Sequence, residues 1–128
     1  MREDESIGGA GGSHDGLREP PVKEVVENGT ALVVRLAGEL DLYNADAVRE
    51  ALADAMRRQP ERVVVDLGDV RFIDSTALGI LVEARSRLEN RHAFVLAAPG
   101  PETTRALEVS GLDRHFDVRG SVDDALAG

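Results

Sequence analysis

The feature that most constrains this chain is Val63-Val64-Val65-Asp66-Leu67, a short and nearly continuous apolar run. A strand with one wet face alternates apolar and polar residues, so an unbroken run marks a strand covered on both faces and central in a sheet. Helical stripes flank it. Val48, Ala51, Leu52, Ala55 and Met56 recur at spacings of three and four within residues 44–58, and Pro60 stops the run. Ala77, Leu81, Ala84 and Leu88 form a second stripe, with Glu83, Arg85, Arg87 and Glu89 largely outside it. Residues 93–97 read as another buried strand, residues 103–109 as a third helix closed by Ser110-Gly111, and residues 116–118 as a short last strand. Ser121 N-caps a final turn or two, with acidic groups at the positive helix end. At the front, residues 22–27 and 30–36 flank Asn28-Gly29, which supplies the positive-φ pair of a two-residue type I′ hairpin turn. Gly68-Asp69 reads as a polar break ahead of a separate segment at 70–73. The order β-β-α-β-α-β-α-β-α predicts an α/β domain with a mostly parallel mixed sheet, one antiparallel hairpin edge and about four flanking helices.

Residues 1–20 stand outside that pattern. They hold five of the thirteen glycines and two arginines against five acidic residues, with few large apolar side chains. Such a segment buries too little to offset its ordering entropy, so a disordered Gly-rich acidic tail is expected over 1–20 and one folded domain over 21–128. Gly8-Gly9-Ala10-Gly11-Gly12 reads as flexible linker, since no strand precedes it and no Lys-Ser/Thr pair follows. A formal net charge of -9, with the basic residues scattered, argues against nucleic-acid partners. The absence of Cys removes disulfides, thiolate metal sites and a Cys nucleophile together, and suits a reducing cytosol. No stretch approaches the roughly eighteen apolar residues that span a bilayer. The first residues also lack a signal peptide's basic flank and apolar run, so a cytoplasmic protein without a membrane partner is expected. The few aromatics, Tyr43, Phe72, Phe94 and Phe116, offer no stacking platform for bases and no aromatic cage.

In open α/β sheets, ligands and partners gather at the loops after the carboxyl ends of the strands. Two such loops are rich in short polar groups, Gly38-Glu39-Leu40-Asp41 and Phe72-Ile73-Asp74-Ser75-Thr76-Ala77-Leu78-Gly79. If both strands run parallel, the loops share a rim and Asp41 approaches Ser75. Asp74, Ser75 and Thr76 are all cap-type residues at a helix start, where one cap worth about 1 kcal/mol is enough. Gly79 inside the helix costs about 1 kcal/mol relative to Ala and leaves the backbone approachable by another molecule.

Taken with Ala37-Gly38-Glu39-Leu40-Asp41, Val65-Asp66-Leu67 and Val109-Ser110-Gly111-Leu112, this Asp-Ser-Thr segment resembles the STAS domain, and more specifically the bacterial anti-anti-sigma factors. The likeness covers about residues 22–127. It implies a STAS-like fold and an anti-sigma factor antagonist of stress-response type, regulated by phosphorylation and partner switching. Ser75 would be phosphorylated by a serine kinase that is itself the anti-sigma factor, and a PP2C-type phosphatase would reverse this. The unmodified form would bind the kinase and free a sigma factor; the modified form would not. By the same resemblance Asp41, Asp74, Ser75, Thr76, Ala77, Leu78 and Gly79 form the partner surface, and Asp41 helps orient Ser75 or the kinase's ATP and metal. Thr76 is a second candidate acceptor. Ala77 departs from the pattern, since many relatives carry Gly there. The free protein is expected to be a monomer without a cofactor.

An enzyme reading would make Ser75 a nucleophile, but no Gly-x-Ser-x-Gly elbow surrounds it. His92 and His115 fall at strand entrances away from the rim, His14 lies in the tail, and no metal-ligand spacing occurs. The remaining alternative is a STAS scaffold or sensory module that binds a partner constitutively, with weak nucleotide binding open and Ser75 serving only as a helix cap.

Overall fold

The computed structural model describes residues 18–128, so most of the tail expected over residues 1–20 lies outside the described residues. One five-stranded sheet is built from β1 (Val22–Asn28), β2 (Ala31–Leu40), β3 (Arg62–Ile73), β4 (Phe94–Ala97) and β5 (Asp117–Arg119), in that spatial order. β1 pairs antiparallel with β2, and every later pair is parallel. Helices α1 (Ala45–Arg57), α2 (Ser75–Ser86) and α3 (Pro101–Ser110) connect the parallel strands, and α4 (Val122–Ala127) follows β5.

Right-handed crossovers along a sheet that grows in one direction deliver their helices to one face. The core shows the result. Val34, Val65, Phe94 and Leu96 of the strands pack with Leu52 of α1, Leu81 of α2 and Leu107 of α3. The alternating residues Val33, Val64, Val95 and Ala97 face the other way, against Ala125 of α4. Val63, Val64 and Val65 are fully buried, as expected for the central strand. Farther along the α4 side, polar pairs replace a helix: Arg35 meets Asp66 at 3.2 Å and also pairs with Glu24, while Lys23 meets Asp69 at 2.9 Å. The Lys23 ammonium holds the exposed Asp69 carboxyl below its ordinary range.

The elements match the predicted order, with instructive shifts. The hairpin corner is Gly29-Thr30 rather than Asn28-Gly29, because Asn28 closes the ladder opposite Ala31. Gly29 alone takes a positive φ, 62°, so this is not the type I′ turn that Asn-Gly suggests. Gly68-Asp69 is no break, since β3 runs through it to Ile73, and β2 likewise continues through Gly38 to Leu40. Two register slips against β2 explain the misreading: Arg35↔Asp66 is followed by Ala37↔Asp69, and Gly38↔Val70 by Glu39↔Phe72. Each bulge spends one extra residue on β3, so its buried side chains there fall at Leu67, Val70 and Ile73, a spacing of three that hides the strand period. α3 begins at Pro101 because Pro at the first helical position has its φ already set and sacrifices no intrahelical bond. Ser121 caps α4 as expected, accepting from the Asp124 amide at 3.0 Å.

No helix among the described residues is long and apolar enough to cross a membrane. For function, the decisive fold feature is the last step of the β2–β3 ladder, Leu40↔Ile73. Both strands end level, so the segments beginning at Asp41 and Asp74 emerge side by side.

Candidate functional site

Asp74 is the first residue beyond the ladder, and its extended backbone makes it the N-cap of α2. Its amide donates to the Leu40 carbonyl at 3.0 Å, which fixes it against the end of β2. One carboxylate oxygen, Oδ1, accepts from the Ala77 amide at 3.0 Å, and the other, Oδ2, accepts from the Leu42 amide at 3.1 Å. A single side chain therefore caps the helix and clamps the neighbouring turn. With Asp74 as the cap, Ser75 and Thr76 become the first two helical residues, whose amides precede the first intrahelical bond.

The adjacent turn is shaped by its own polar groups. Asn44 accepts from the Asp41 amide at 2.9 Å and donates to the Glu39 carbonyl at 2.8 Å, so its side chain is spent inward and does not cap α1. Asp41 Oδ1 accepts from the Tyr43 amide at 3.0 Å, and Asp41 Oδ2 accepts from the Arg18 guanidinium at 2.8 Å. Arg18 also reaches the Glu39 carbonyl at 3.3 Å. The neighbouring Glu19 pairs with Arg71 at 3.0 Å. Residues 18–20, placed in the tail by sequence, thus lie against this rim.

The two predicted loops do share a rim, and the acidic groups Glu39, Asp41 and Asp74 gather there. Asp41 meets the Asp74 loop through the Leu42 amide, while its own carboxylate is engaged by Arg18 and Tyr43. Ser75 is exposed and its hydroxyl has no hydrogen-bond partner among the described residues. Thr76 is half-buried; Gly79 is exposed, and a Cβ there would meet nothing within 4 Å. Ala77 and Leu78 need correction as surface residues: at 1% and 7% exposure they face the core, because the helical turn that presents Ser75 and Gly79 outward turns both of them inward. The methyl of Ala77 therefore points away from Ser75's solvent side.

Sequence reading missed the apolar part of this rim. Leu42 is 64% exposed, Tyr43 86% and Phe72 49%, an unusual display for a chain with so few aromatics. The signal was present in Leu42-Tyr43, two large side chains directly after a strand end and ahead of the α1 stripe. Among the described residues no histidine lies beside Ser75: His92 and His115 lie at the amino ends of β4 and β5, the opposite rim, where His115 stands edge-on to Phe116 at 5.4 Å. No group of three or more His, Cys, Asp or Glu among the described residues could hold a metal ion. Chemically, the arrangement offers a free hydroxyl, a helix N-terminus and an acidic, partly apolar surface.

The model of the STAS domain family matches residues 22–125. The anti-sigma-F factor antagonist RsfB of Mycobacterium tuberculosis is 35% identical over 101 residues, which cover 79% of this chain and 82% of that protein. An anti-sigma F factor antagonist of Paenibacillus polymyxa is 37% identical over 98 residues, covering 74% and 83%. Among solved structures, an anti-sigma factor antagonist from Mycobacterium paratuberculosis superimposes with a TM-score of 0.77 at 33% identity, covering 81% of this chain and 89% of its own.

Proposed function

The chain belongs to the STAS domain family, and from that premise we propose that it is an anti-sigma factor antagonist switched by phosphorylation of Ser75. Unmodified, it binds an anti-sigma factor serine kinase in the cytoplasm and frees a sigma factor; phosphorylated, it lets the kinase go until a PP2C-type phosphatase restores it. It is a regulatory binding protein and a substrate, not an enzyme, and it acts as a monomer with a STAS domain over 21–128.

The observation that carries this reading is that Asp74, not Ser75, caps α2. Ser75 is left with an exposed hydroxyl that the fold does not use. A phosphate there meets the amides of Ser75 and Thr76 and the positive end of the helix dipole, so the domain tolerates it. For a partner the change is severe: about 1.5 to 2 negative charges join Glu39, Asp41 and Asp74 beside an apolar contact surface. Burying that charge against a face selected for Leu42, Tyr43 and Phe72 carries a desolvation penalty of several kcal/mol, on the order of the affinity itself. Half-buried Thr76 and exposed Gly79 complete the turn, and Asp41 contributes by ordering the β2–α1 turn.

Intact-mass measurement after incubation with candidate kinases and Mg-ATP tests the switch. One phosphate, located on Ser75, is expected. Ser75→Ala should stay unmodified, bind constitutively and change stability by no more than about 0.5 kcal/mol, since no cap is lost. Modification at another residue, or kinase binding by Ser75→Asp as tight as by the parent, sinks the proposal.

A further inference from the structure

The rim holds the carboxylates of Glu39, Asp41 and Asp74 and a cation, Arg18, hydrogen-bonded to the Asp41 carboxylate. Arg18 donates to Asp41 Oδ2 at 2.8 Å and the Glu39 carbonyl at 3.3 Å, with the Glu39 carboxylate 3.8 Å away. The residue after Asp41 donates its amide to Asp74 Oδ2, and Asp74 directly precedes Ser75. Arg18 thus holds the turn whose Leu42 amide is bonded to Asp74, the residue before the phosphoacceptor. Arg71, also in this region, is paired with Glu19.

Building on the reading of Ser75 as phosphoacceptor, we propose that Arg18 is the counter-ion of the phosphorylated state, exchanging the Asp41 carboxylate for the Ser75 phosphate. A phosphate dianion carries more charge and one more acceptor oxygen than a carboxylate, and a guanidinium fork matches its geometry bidentately. Adding that dianion beside Asp74 and Asp41 creates a local excess of negative charge, and the guanidinium follows the stronger acceptor. The backbone permits the move. Arg18 precedes β1, and the strap it belongs to is fastened to β2 at Pro21, whose carbonyl accepts from the Ala37 amide at 3.0 Å. Arg18 can leave Asp41 without breaking that bond or any rung of the sheet. The exchange draws Arg18 toward the N-terminus of α2, so phosphorylation alters the shape of the rim as well as its charge.

The test uses the full chain with phosphoserine installed genetically at position 75, and reads the phosphate's second ionisation by ³¹P NMR titration. In the parent the midpoint should lie below the ordinary value of about 6. Arg18→Gln should raise it by about one unit, and Arg18→Lys should retain most of the depression as a point charge. The helix N-terminus acts in all three proteins, so the difference isolates the side chain at position 18. Equal midpoints in the parent and Arg18→Gln overturn the proposal. Because the phosphate is installed rather than transferred, a failure of every kinase to modify Ser75 counts against the switch alone, whereas equal midpoints count against Arg18 alone.

Discussion

Asp74 divides its two carboxylate oxygens between two elements, Ala77 of its own helix and Leu42 of the neighbouring turn. The division makes the two roles separable by substitution. Asp74→Ala should cost about 1–2 kcal/mol, the sum of a lost cap and an unpaired amide. Asp74→Asn should cost about half as much, because its carbonyl oxygen still caps Ala77 while its amide nitrogen cannot accept from Leu42. Urea denaturation at constant slope measures both, and equal losses would contradict the clamp. Sequence placed three cap-type residues in a row and left the choice among them open, since each has a short polar side chain able to accept from an amide. The choice follows from the last β2–β3 pair, Leu40↔Ile73, which leaves residue 74 extended at the first position beyond the ladder.

At the scale of elements, β2 and β3 are longer than their apolar runs because they pair through two bulges. Gly38 sits between them with a φ of 77°, a left-handed conformation that costs other residues about 1–2 kcal/mol. An added Cβ would also stand 3.3 Å from Glu19 Cβ. Gly38→Ala should therefore lower stability by about 1–2 kcal/mol, read as a fall in the denaturation midpoint, and should loosen the Glu19–Arg71 pair. A neutral outcome would mean that the bulge adapts without Gly. The continuous run at Val63-Val64-Val65 and the helical stripes were legible because their periods are local. The bulged half of β3 was not, because its buried spacing of three belongs to neither a strand nor a regular helix face.

For the whole molecule, what matters is that the acidic Glu39, Asp41 and Asp74 share one rim with the exposed Leu42. Phe94 and Phe116 pack together in the core with ring centroids 6.1 Å apart, whereas Tyr43 and Phe72 face solvent in or next to the two rim loops. Exposed aromatics are frequent anchors of protein interfaces. Tyr43→Ala should weaken binding to the anti-sigma factor by about tenfold or more while leaving the denaturation midpoint unchanged, as titration calorimetry and urea unfolding would show. Unchanged affinity would remove Tyr43 from the contact surface. By itself, the sequence determined the order of elements, the central strand, the α/β class and the position of Ser75 at a helix start, because these rest on periodicity and on residue types close together in the chain. Only the tertiary structure decided which residue caps α2, which aromatics lie outside, that Ala77 and Leu78 turn inward, and that Arg18 rests on Asp41. Those outcomes depend on the register of β2 against β3 and on contacts between segments far apart in sequence, which no local pattern records.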